Sequence, residues 1–284
     1  MAGNASVDAW WGEILGSGKV LDTDRYMVVC CNVLGSCYGS TGPKSIDPST
    51  GEEYGENFPE VTIRDTVRLH MEALKQDLGV KSVASVVGGS LGGMQALEWL
   101  LCGGPDFVRS GVAIGCGSAH SAWQIAISET QRQAVALHDD PEVGLQVARM
   151  IAMVSYRTKA AYDRKFGRLK MDNGKWQVMS YLQHQGQKFN SRFDPASYVA
   201  ITRLMDTHDV GRDRNGVEAA LGSITQPTLI MGISSDVLYP YSEQVRSPNC
   251  TVTLRLLPSL QLLLLFLLPA RPGHAARVMD SDLM

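Results

Sequence analysis

The sequence lacks the features that mark a nucleic-acid-binding, secreted or membrane-spanning protein. Its 284 residues carry 26 Lys and Arg against 29 Asp and Glu, so no basic field attracts nucleic acid or anionic lipid. The six cysteines form no C-x-x-C pair, and the N-terminus has neither the basic nor the apolar part of a signal peptide. The apolar run at residues 262–268 is much shorter than a membrane-spanning helix. These absences favour a globular protein of the reducing cytoplasm that binds small molecules.

Short β-rich runs alternate with longer amphipathic stretches, the pattern of an α/β protein. Residues 26–35, YMVVCCNVLG, are predicted to form a buried strand, and SVASVV, SGVAIGCGSAH and QPTLIMGISSD to supply three more. Between the first two, TIRDTVRLHMEALKQDLGV predicts a helix that ends at Gly79. The apolar face of this predicted helix consists of Val67, Met71, Leu74 and Leu78.

The stretch between the last two predicted strands, residues 118–222, is mostly helical in pattern and is interpreted as an inserted lid. Its clearest helical segments are SAWQIAISETQRQAVALH and VGLQVARMIAMVSYRTKAAYDRKFGR, and MDNGKWQ is a turn-like break between blocks. The chain is thus divided into a first core part at 1–117, the lid, a second core part at 223–257 and an atypical tail at 258–284.

One serine stands in the sequence context of an activated nucleophile. GGSLG, residues 88–92, matches G-x-S-x-G directly after a predicted strand and directly before the helix-like GMQALEWLL. The serine of such an elbow sits on a strained turn, and glycines around it avoid collisions with the strand and the helix. Ser90 is therefore the predicted nucleophile, and the backbone N–H of Leu91 the predicted oxyanion donor. A phosphate-binding glycine turn or simple strand–helix packing is the alternative.

A serine nucleophile on this kind of elbow needs a base and an orienting acid, which follow in the chain order Ser, Asp or Glu, then His. Asp236 comes directly after a late predicted strand, in TLIMGISSDVLYP, and is the predicted acid. A solvated turn or a helix N-cap is the alternative role for this aspartate.

Together these motifs resemble the homoserine O-acetyltransferases of the α/β-hydrolase superfamily. The resemblance covers residues 5–244 and rests on WWGEILGSGKVLDTDRYMVVCCNVLGSCYGSTGP, FPEVTIRDTVR, GGSLGGMQALEW, SAWQIAISETQRQA, YRTKAAYDRKFGR and SSDVLYP. It implies an α/β-hydrolase fold with a mostly parallel central sheet and an inserted helical lid. Relatives that succinylate homoserine, or acetylate serine or deacetylcephalosporin, share much of this pattern.

The resemblance implies a two-step acyl transfer without a metal or a bound cofactor. Ser90 takes the acetyl group from acetyl-CoA, a co-substrate, and the hydroxyl of L-homoserine then collects it, a step of methionine biosynthesis. Arg157, in SYRT, falls where the family's substrate-binding arginine lies and would grip the carboxylate of the amino acid. Asp236 would orient the base. The family also suggests a homodimer formed through the lid.

The base of this family, a histidine in a GHD loop after the last strand, has no counterpart in the sequence. NCTVTLRLLPS is the candidate for that strand, and His274, in PGHAAR, is the only histidine after Asp236. We therefore expect a frameshift, a retained intron or a gene-model error after residue 244. AGNAS, residues 2–6, resembles the remnant of the loop that supplies the family's second oxyanion donor. The strands that precede this loop in the family would lie before residue 1. The other histidines are interpreted as structural: His70, His120, His138, His184 and His208.

Two further interpretations of the sequence stay open. A serine hydrolase on the same scaffold fits the generic elbow but not SAWQIAISETQRQA or Arg157. A catalytically impaired fragment fits the missing histidine, since loss of one triad member lowers the rate by several orders of magnitude.

Overall fold

The computed structural model describes residues 11–245, in which three short parallel strands form the sheet. The strands are β1 Val86–Gly89, β2 Gly111–Ile114 and β3 Thr228–Met231, in the order β1-β2-β3. Gly89 pairs with Ile114, which pairs with Met231, so the carboxyl ends of the three strands are level. The turns that follow therefore meet at one edge of the sheet, the edge at which α/β folds bind their ligands.

The stretch between β2 and β3 is helical, as the sequence predicts, although the domain boundaries drawn there stay predictions. Within the described range, no helix is both long and apolar enough to cross a bilayer. In chain order the helices are α1 Ile63–Gln76, α2 Leu91–Phe107, α3 Ala122–Ala136, α4 Pro141–Ser155, α5 Lys159–Lys165, α6 Gln177–Asn190, α7 Pro195–Asp206, α8 Val217–Gly222 and α9 Tyr241–Gln244, with one 3-10 turn at Gly55–Asn57.

Helix α1 follows its predicted pattern except at its end. Thr62 forms a capping box at the N-terminus, in which side chains satisfy backbone N–H groups of the first turn. Leu78 is 58% exposed, because the helix ends at Gln76 and Leu78 no longer belongs to its apolar face. The predicted apolar residues that are buried are Val67, Met71 and Leu74.

The prediction of a strand at residues 26–35 is wrong. The segment is a loop whose backbone pairs with no strand of the described sheet, and Met27 is 74% exposed. Side chains hold it instead, since His70 Nε2 and the Ser40 hydroxyl both donate to the Asn32 carbonyl oxygen. A run of β-branched residues forms a strand only where a neighbouring strand offers backbone partners, and residues 11–245 offer none to this run.

The second predicted lid helix is interrupted after α4. Helix α5 begins after Thr158, whose side chain accepts from the Ala161 N–H at 3.0 Å and so caps the new helix. Residues 156–158 consequently form a turn between α4 and α5. The predicted turn in MDNGKWQ is confirmed, with Gly174 in the left-handed region at φ 81°.

Helix α2 packs against α1 and against both β1 and β2. It also buries Glu98, whose carboxylate accepts from Arg64 Nε at 3.2 Å and from Arg214 Nη2 at 2.8 Å. Burial acts to raise the pKa of Glu98, but the hydrogen bonds and charges of the two arginines lower it below its usual value. This ion-pair cluster joins α2 to α1 and to the turn before α8. The largest fully buried side chains of α2 are Leu91, Met94, Leu100 and Glu98.

Candidate active site

Ser90 occupies the sharp turn between β1 and α2. Its backbone dihedrals, φ 54° and ψ −121°, lie in a region that non-glycine residues rarely adopt, at a cost of about 1–3 kcal/mol. Hydrogen bonds hold the turn, because the Ser90 N–H donates to the Ile114 carbonyl at 2.8 Å and the Ser90 carbonyl accepts from the Met94 N–H at 3.0 Å. The half-buried serine therefore stands at the edge of the sheet where the three strands end. This is the predicted strand–turn–helix arrangement.

Two of the four glycines around the predicted nucleophile are required by close packing. A Cβ on Gly88 would lie 2.0 Å from the Gly92 carbonyl oxygen, and one on Gly93 would lie 2.6 Å from a buried cysteine sulfur. A Cβ on Gly92 would have open space, and one on Gly89 would meet nothing closer than 3.8 Å. The interpretation that these glycines prevent collisions therefore holds for Gly88 and Gly93 only.

Leu91 begins α2, and its backbone N–H is one of those that helical geometry leaves without an intrahelical acceptor. No acceptor for this N–H is present among residues 11–245. The helix dipole adds partial positive charge at the same point. The N–H can therefore donate to an oxyanion that forms next to Ser90, and its assignment as the oxyanion donor stays a prediction.

Asp236 lies in the loop after β3, at the same edge of the sheet as Ser90. Its Oδ1 accepts from the backbone N–H groups of Leu238 and Tyr239, both at 2.9 Å. Burial raises the pKa of Asp236, and these two hydrogen bonds act to lower it. Its Oδ2 lies 3.9 Å from where a Cβ on Gly115 would be, facing the end of β2. The carboxylate is thus fixed in orientation, and the loop hydrogen bonds leave Oδ2 unused.

Two helices hold the acid loop, residues 232–240, by side-chain hydrogen bonds to its backbone. From α3, the Trp123 indole N–H and the Gln124 amide donate to consecutive loop carbonyls at 2.9 and 2.7 Å. From α9, the Gln244 side chain accepts from one loop N–H at 2.9 Å and donates to a carbonyl at the far end of the loop. The motif SAWQIAISETQRQA, part of the family resemblance, therefore positions the acid loop.

A buried tyrosine of the acid loop contacts a buried histidine, and neither is a predicted site residue. Tyr239 is 2% exposed, and its hydroxyl is hydrogen-bonded to His120 Nε2 at 3.3 Å. His120 Nδ1 donates to Asp206 Oδ1 at 3.1 Å, and Asp206 Oδ2 pairs with the Arg132 guanidinium at 2.7 Å. A continuous chain of polar groups thus runs from the acid loop to α3 and α7.

The sequence contains a weak signal for each of these two residues. Tyr239 follows Asp236 within SSDVLYP, and His120 follows β2 at the edge of the sheet where a site is expected. Neither signal shows their contact, because the two residues are 119 positions apart and meet only in the folded chain. Burial raises the pKa of Tyr239 well above its usual value. The phenol is therefore neutral near pH 7, able both to donate and to accept.

The chain is similar in sequence to known enzymes. The alpha/beta hydrolase fold family matches its residues 2–250. A homoserine O-acetyltransferase of Nostoc punctiforme is 46% identical to it over 296 residues, which span 99% of this chain and 80% of that protein. The chain belongs to the homoserine O-acetyltransferase family of the α/β hydrolases. The alignment with this relative extends past residue 244, the position at which the resemblance to the family motifs ends.

Two solved structures share the fold of this member of the homoserine O-acetyltransferase family. A homoserine O-acetyltransferase from Bacillus anthracis matches it with a TM-score of 0.73 at 25% identity, over 81% of this chain and 68% of that chain. Esterase E22 matches with the same TM-score and identity, over 83% of this chain and 70% of the esterase. The predicted α/β-hydrolase fold, with its parallel sheet and helical lid, is confirmed.

His208 is a structural histidine next to the site of this acetyltransferase family member. Its Nε2–H donates to the Gly117 carbonyl at 3.0 Å, and its own carbonyl accepts from the His120 N–H at 2.8 Å. Burial lowers the pKa of His208 to about 4, although the hydrogen bond to Gly117 acts to raise it. The ring is therefore neutral near pH 7 and holds the backbone segment that carries His120.

A small cavity of about 40 Å³ lies against Tyr239 and His120. A larger, polar groove of about 340 Å³ lies at the start of α1 and contains none of the predicted site residues. In the described part of the chain, no group of three or more His, Cys, Asp or Glu side chains could hold a metal ion. The remaining walls of the small cavity include Ser128, Gln131, Tyr156, Phe189, Phe193 and Tyr198.

The predicted substrate arginine of the family, Arg157, is not among the residues that line this cavity. It is exposed in the turn between α4 and α5. Burial raises the pKa of nearby Tyr162, and the charge of Arg157 acts to lower it. The role of Arg157 in binding a carboxylate stays a prediction. His274, the predicted last strand and the AGNAS loop lie outside the described residues.

Proposed function

We propose that the chain transfers the acetyl group of acetyl-CoA to the hydroxyl of L-homoserine through an acetyl-enzyme on Ser90, a step of methionine biosynthesis. The observation that carries the proposal is the strained Ser90 turn at the start of α2, in a chain 46% identical to a homoserine O-acetyltransferase. A serine held on such a turn is exposed to its substrate and lies next to backbone donors, which suits it to acyl transfer.

The first step forms the acetyl-enzyme. Ser90 Oγ attacks the thioester carbonyl carbon, and negative charge develops on the carbonyl oxygen. The Leu91 N–H and the N-terminal dipole of α2 stabilise that charge, and one such donor contributes about 10²–10³ to the rate in related acyl transfers. Collapse of the intermediate breaks the C–S bond, and coenzyme A leaves as a thiol that carries the proton given up by the Ser90 hydroxyl. The homoserine hydroxyl then attacks the acetyl ester and restores free Ser90.

Asp236 and Arg157 complete the proposed site. Asp236, with Oδ1 fixed by two backbone donors, suits an acid that orients a base. Arg157, exposed between two lid helices, offers a guanidinium that can bind the carboxylate of homoserine in bidentate geometry. In this proposal acetyl-CoA is a co-substrate, and no metal or resident cofactor takes part.

Release of thiol from acetyl-CoA, with and without L-homoserine, tests the proposed function. We expect release to depend on homoserine and to be lost in Ser90→Ala. Ser110→Ala is the matched control, because Ser110 lies at the opposite end of β2, where its hydroxyl donates to the Ala84 carbonyl at 2.9 Å. This control should keep the wild-type rate. Thiol release that ignores homoserine would overturn the transferase assignment.

Hydrolysis of acyl esters is the second candidate function, favoured by the equal structural match to esterase E22. Water would then replace homoserine in the second step. Incubation with p-nitrophenyl acetate and homoserine separates the two, since an esterase gives acetate alone and a transferase gives O-acetylhomoserine. Succinyl-CoA in the same assay tests the choice of donor. No acyl transfer to either acceptor is the result expected of a catalytically impaired chain.

We also propose a reducing cytoplasm as the compartment and a homodimer as the assembly. The cysteines of the described residues all carry free thiols, which supports a reducing compartment. The homodimer rests on the family resemblance of the lid. Light scattering on the purified chain would distinguish a dimer from a monomer.

A further inference from the structure

The polar groove at the start of α1 is lined mainly by arginines. Its volume of about 340 Å³ lies within the usual range of small-molecule pockets. Its walls come from two segments that are distant in sequence, the first two turns of α1 and the turn before α8. Four of the lining residues are arginines, Arg64, Arg68, Arg212 and Arg214.

Two of these arginines belong to a buried cluster that has more positive than negative charge. Arg64 and Arg214 share the Glu98 carboxylate, at 3.2 and 2.8 Å. The side chains of Arg64 and Glu98 are 8% and 3% exposed. Within residues 11–245, the other carboxylate paired with the cluster is that of Asp213, which lies 3.4 Å from Arg64 and is 82% exposed. Because water screens an exposed carboxylate, one positive charge of the cluster is poorly compensated.

The other two arginines can donate hydrogen bonds to a ligand. Arg68 is exposed and Arg212 is half-buried, and within the described range neither side chain forms an ion pair or a hydrogen bond. Arg68 lies four residues after Arg64 on α1, a spacing at which like charges on a helix repel each other. An anion bound between these guanidinium groups would relieve that repulsion.

The aspartates of the groove do not neutralise its arginines. The Asp65 carboxylate is used in the capping box of α1, where its Oδ2 accepts from the Thr62 N–H at 3.0 Å and from the Thr62 hydroxyl at 2.7 Å. Asp213 adds one exposed carboxylate. Even with Glu98 included, four arginines face three carboxylates. The charge of the groove therefore favours an anion.

We propose that this groove binds the phosphate group of a small ligand, as free phosphate or as a phosphate ester. A guanidinium presents its N–H donors in a planar fork that matches the oxygens of a phosphate. A phosphate carries up to two negative charges and at least three acceptor oxygens, so it can bind two arginines at once. Arg68 and Arg212 bind it, and Arg64 adds buried positive charge at the wall. The site is separate from that of the proposed acyl transfer and does not depend on it.

Isothermal titration calorimetry of the full chain, with inorganic phosphate and with glycerol 3-phosphate, tests the site. We expect affinity to fall about tenfold or more in Arg68→Gln and in Arg212→Gln, since each variant loses charged hydrogen bonds. Arg164→Gln, which changes an exposed arginine of α5, is the matched control and should bind as the wild type does.

Binding of either probe supports the proposal, and the tighter one identifies the free ion or an ester as the ligand. No binding of either probe by the wild type, or unchanged affinity in either groove variant, would overturn the proposal. Arg68→Gln decides if Arg212→Gln does not fold, because Arg68 is exposed.

Asp213→Asn distinguishes an anion site from a purely structural cluster. Asparagine keeps the shape of the side chain and tolerates the left-handed backbone at this position, φ 61°. Loss of the carboxylate removes a repulsion, so we expect phosphate to bind about two- to fivefold more tightly. Asp172→Asn, an exposed aspartate in the turn between α5 and α6, is the control and should not change the affinity. Weaker or unchanged binding in Asp213→Asn would contradict the proposal.

Thermal unfolding tests whether the bound anion stabilises α2, which the Glu98 cluster joins to α1. A ligand that binds only the folded chain raises its unfolding temperature. Phosphate salts also stabilise proteins by exclusion from the surface, and this part should be equal in all variants. We therefore expect phosphate to raise the unfolding temperature of the wild type more than that of Arg68→Gln. Equal shifts, at a concentration that saturates the wild type, would contradict binding in the groove.

Discussion

The two sides of the site are specified in different ways. The nucleophile side lies within one contiguous stretch, β1, Ser90 and the first turn of α2, and its geometry follows from local sterics because Gly88 has no room for a Cβ. The acid side joins Asp236 and Tyr239 to His120, which is 119 positions from Tyr239 in the chain. The acid side is held together by hydrogen bonds between segments that are distant in sequence.

This difference predicts how substitutions on each side should affect folding and activity. A steric overlap on the nucleophile side is relieved only by moving the backbone, so a substitution there should prevent the elbow from forming. A lost hydrogen bond on the acid side leaves a polar group that water can partly satisfy. Substitutions on the acid side should leave the chain folded. They should lower its free energy of unfolding and its activity by smaller amounts than substitutions on the nucleophile side.

The largest effect is expected from Gly88→Ala, which breaks the nucleophile side. Its Cβ would lie 2.0 Å from a backbone carbonyl oxygen, so we expect the free energy of unfolding to fall by about 4 kcal/mol or more. Gly92→Ala is the control, because its Cβ has open space and alanine favours a helix by up to about 1 kcal/mol. Urea denaturation measures both. Equal stability of the two variants would contradict local steric control of the elbow.

The next effect tests whether the buried ion-pair cluster of Glu98 holds α2 in place. Glu98→Gln leaves Arg64 and Arg214 facing an uncharged amide in a buried position, and we expect a loss of about 3–4 kcal/mol. Asp163→Asn, in the exposed ion pair with Lys159, is the control and should change stability little. The same urea titration compares them. A loss in Glu98→Gln as small as in the control would show that this buried cluster does not hold α2.

The pH dependence of stability sharpens the comparison on the acid side. Burial lowers the pKa of His208 to about 4 from the ordinary 6.5, so the unfolded chain binds this proton first as the pH falls. The stability that the neutral ring contributes is complete above pH 6.5 and is lost towards pH 4, by on the order of 3 kcal/mol. His208→Gln should remove this part of the pH profile of thermal unfolding. Identical profiles would argue against a neutral, buried His208.

The smallest effect is expected where the acid loop is anchored to α3. Gln124→Ala removes an amide that donates to the Leu238 carbonyl at 2.7 Å and to Glu243 at 2.8 Å, at a cost of about 2 kcal/mol. Gln133→Ala, on the exposed face of the same helix, should change stability by less than about 0.5 kcal/mol. Because the loop carries Asp236, we expect kcat to fall in Gln124→Ala alone. Steady-state kinetics on both variants checks this, and an unchanged kcat would show that the loop needs no such anchor.

The same contrast explains which parts of the site could be predicted from the sequence. Ser90 and Asp236 follow strands in contiguous motifs, and β1, β2 and β3 overlap the predicted runs. Tyr239 and His120 could not be predicted as partners, because their contact depends on how the acid loop packs against α3. The strand predicted at residues 26–35 failed for the opposite reason, since its residue types suit a strand but no strand among the described residues pairs with it.

The acetyl-enzyme on Ser90 is tested most directly by the mass of the intact chain after brief exposure to acetyl-CoA without homoserine. We predict an adduct of one acetyl group, located on Ser90 by peptide mapping and removed when L-homoserine is added. Ser110→Ala should carry the same adduct, and Ser90→Ala should carry none. An acetyl group on another residue, or no adduct in a chain that still acetylates homoserine, would contradict the acyl-enzyme at Ser90.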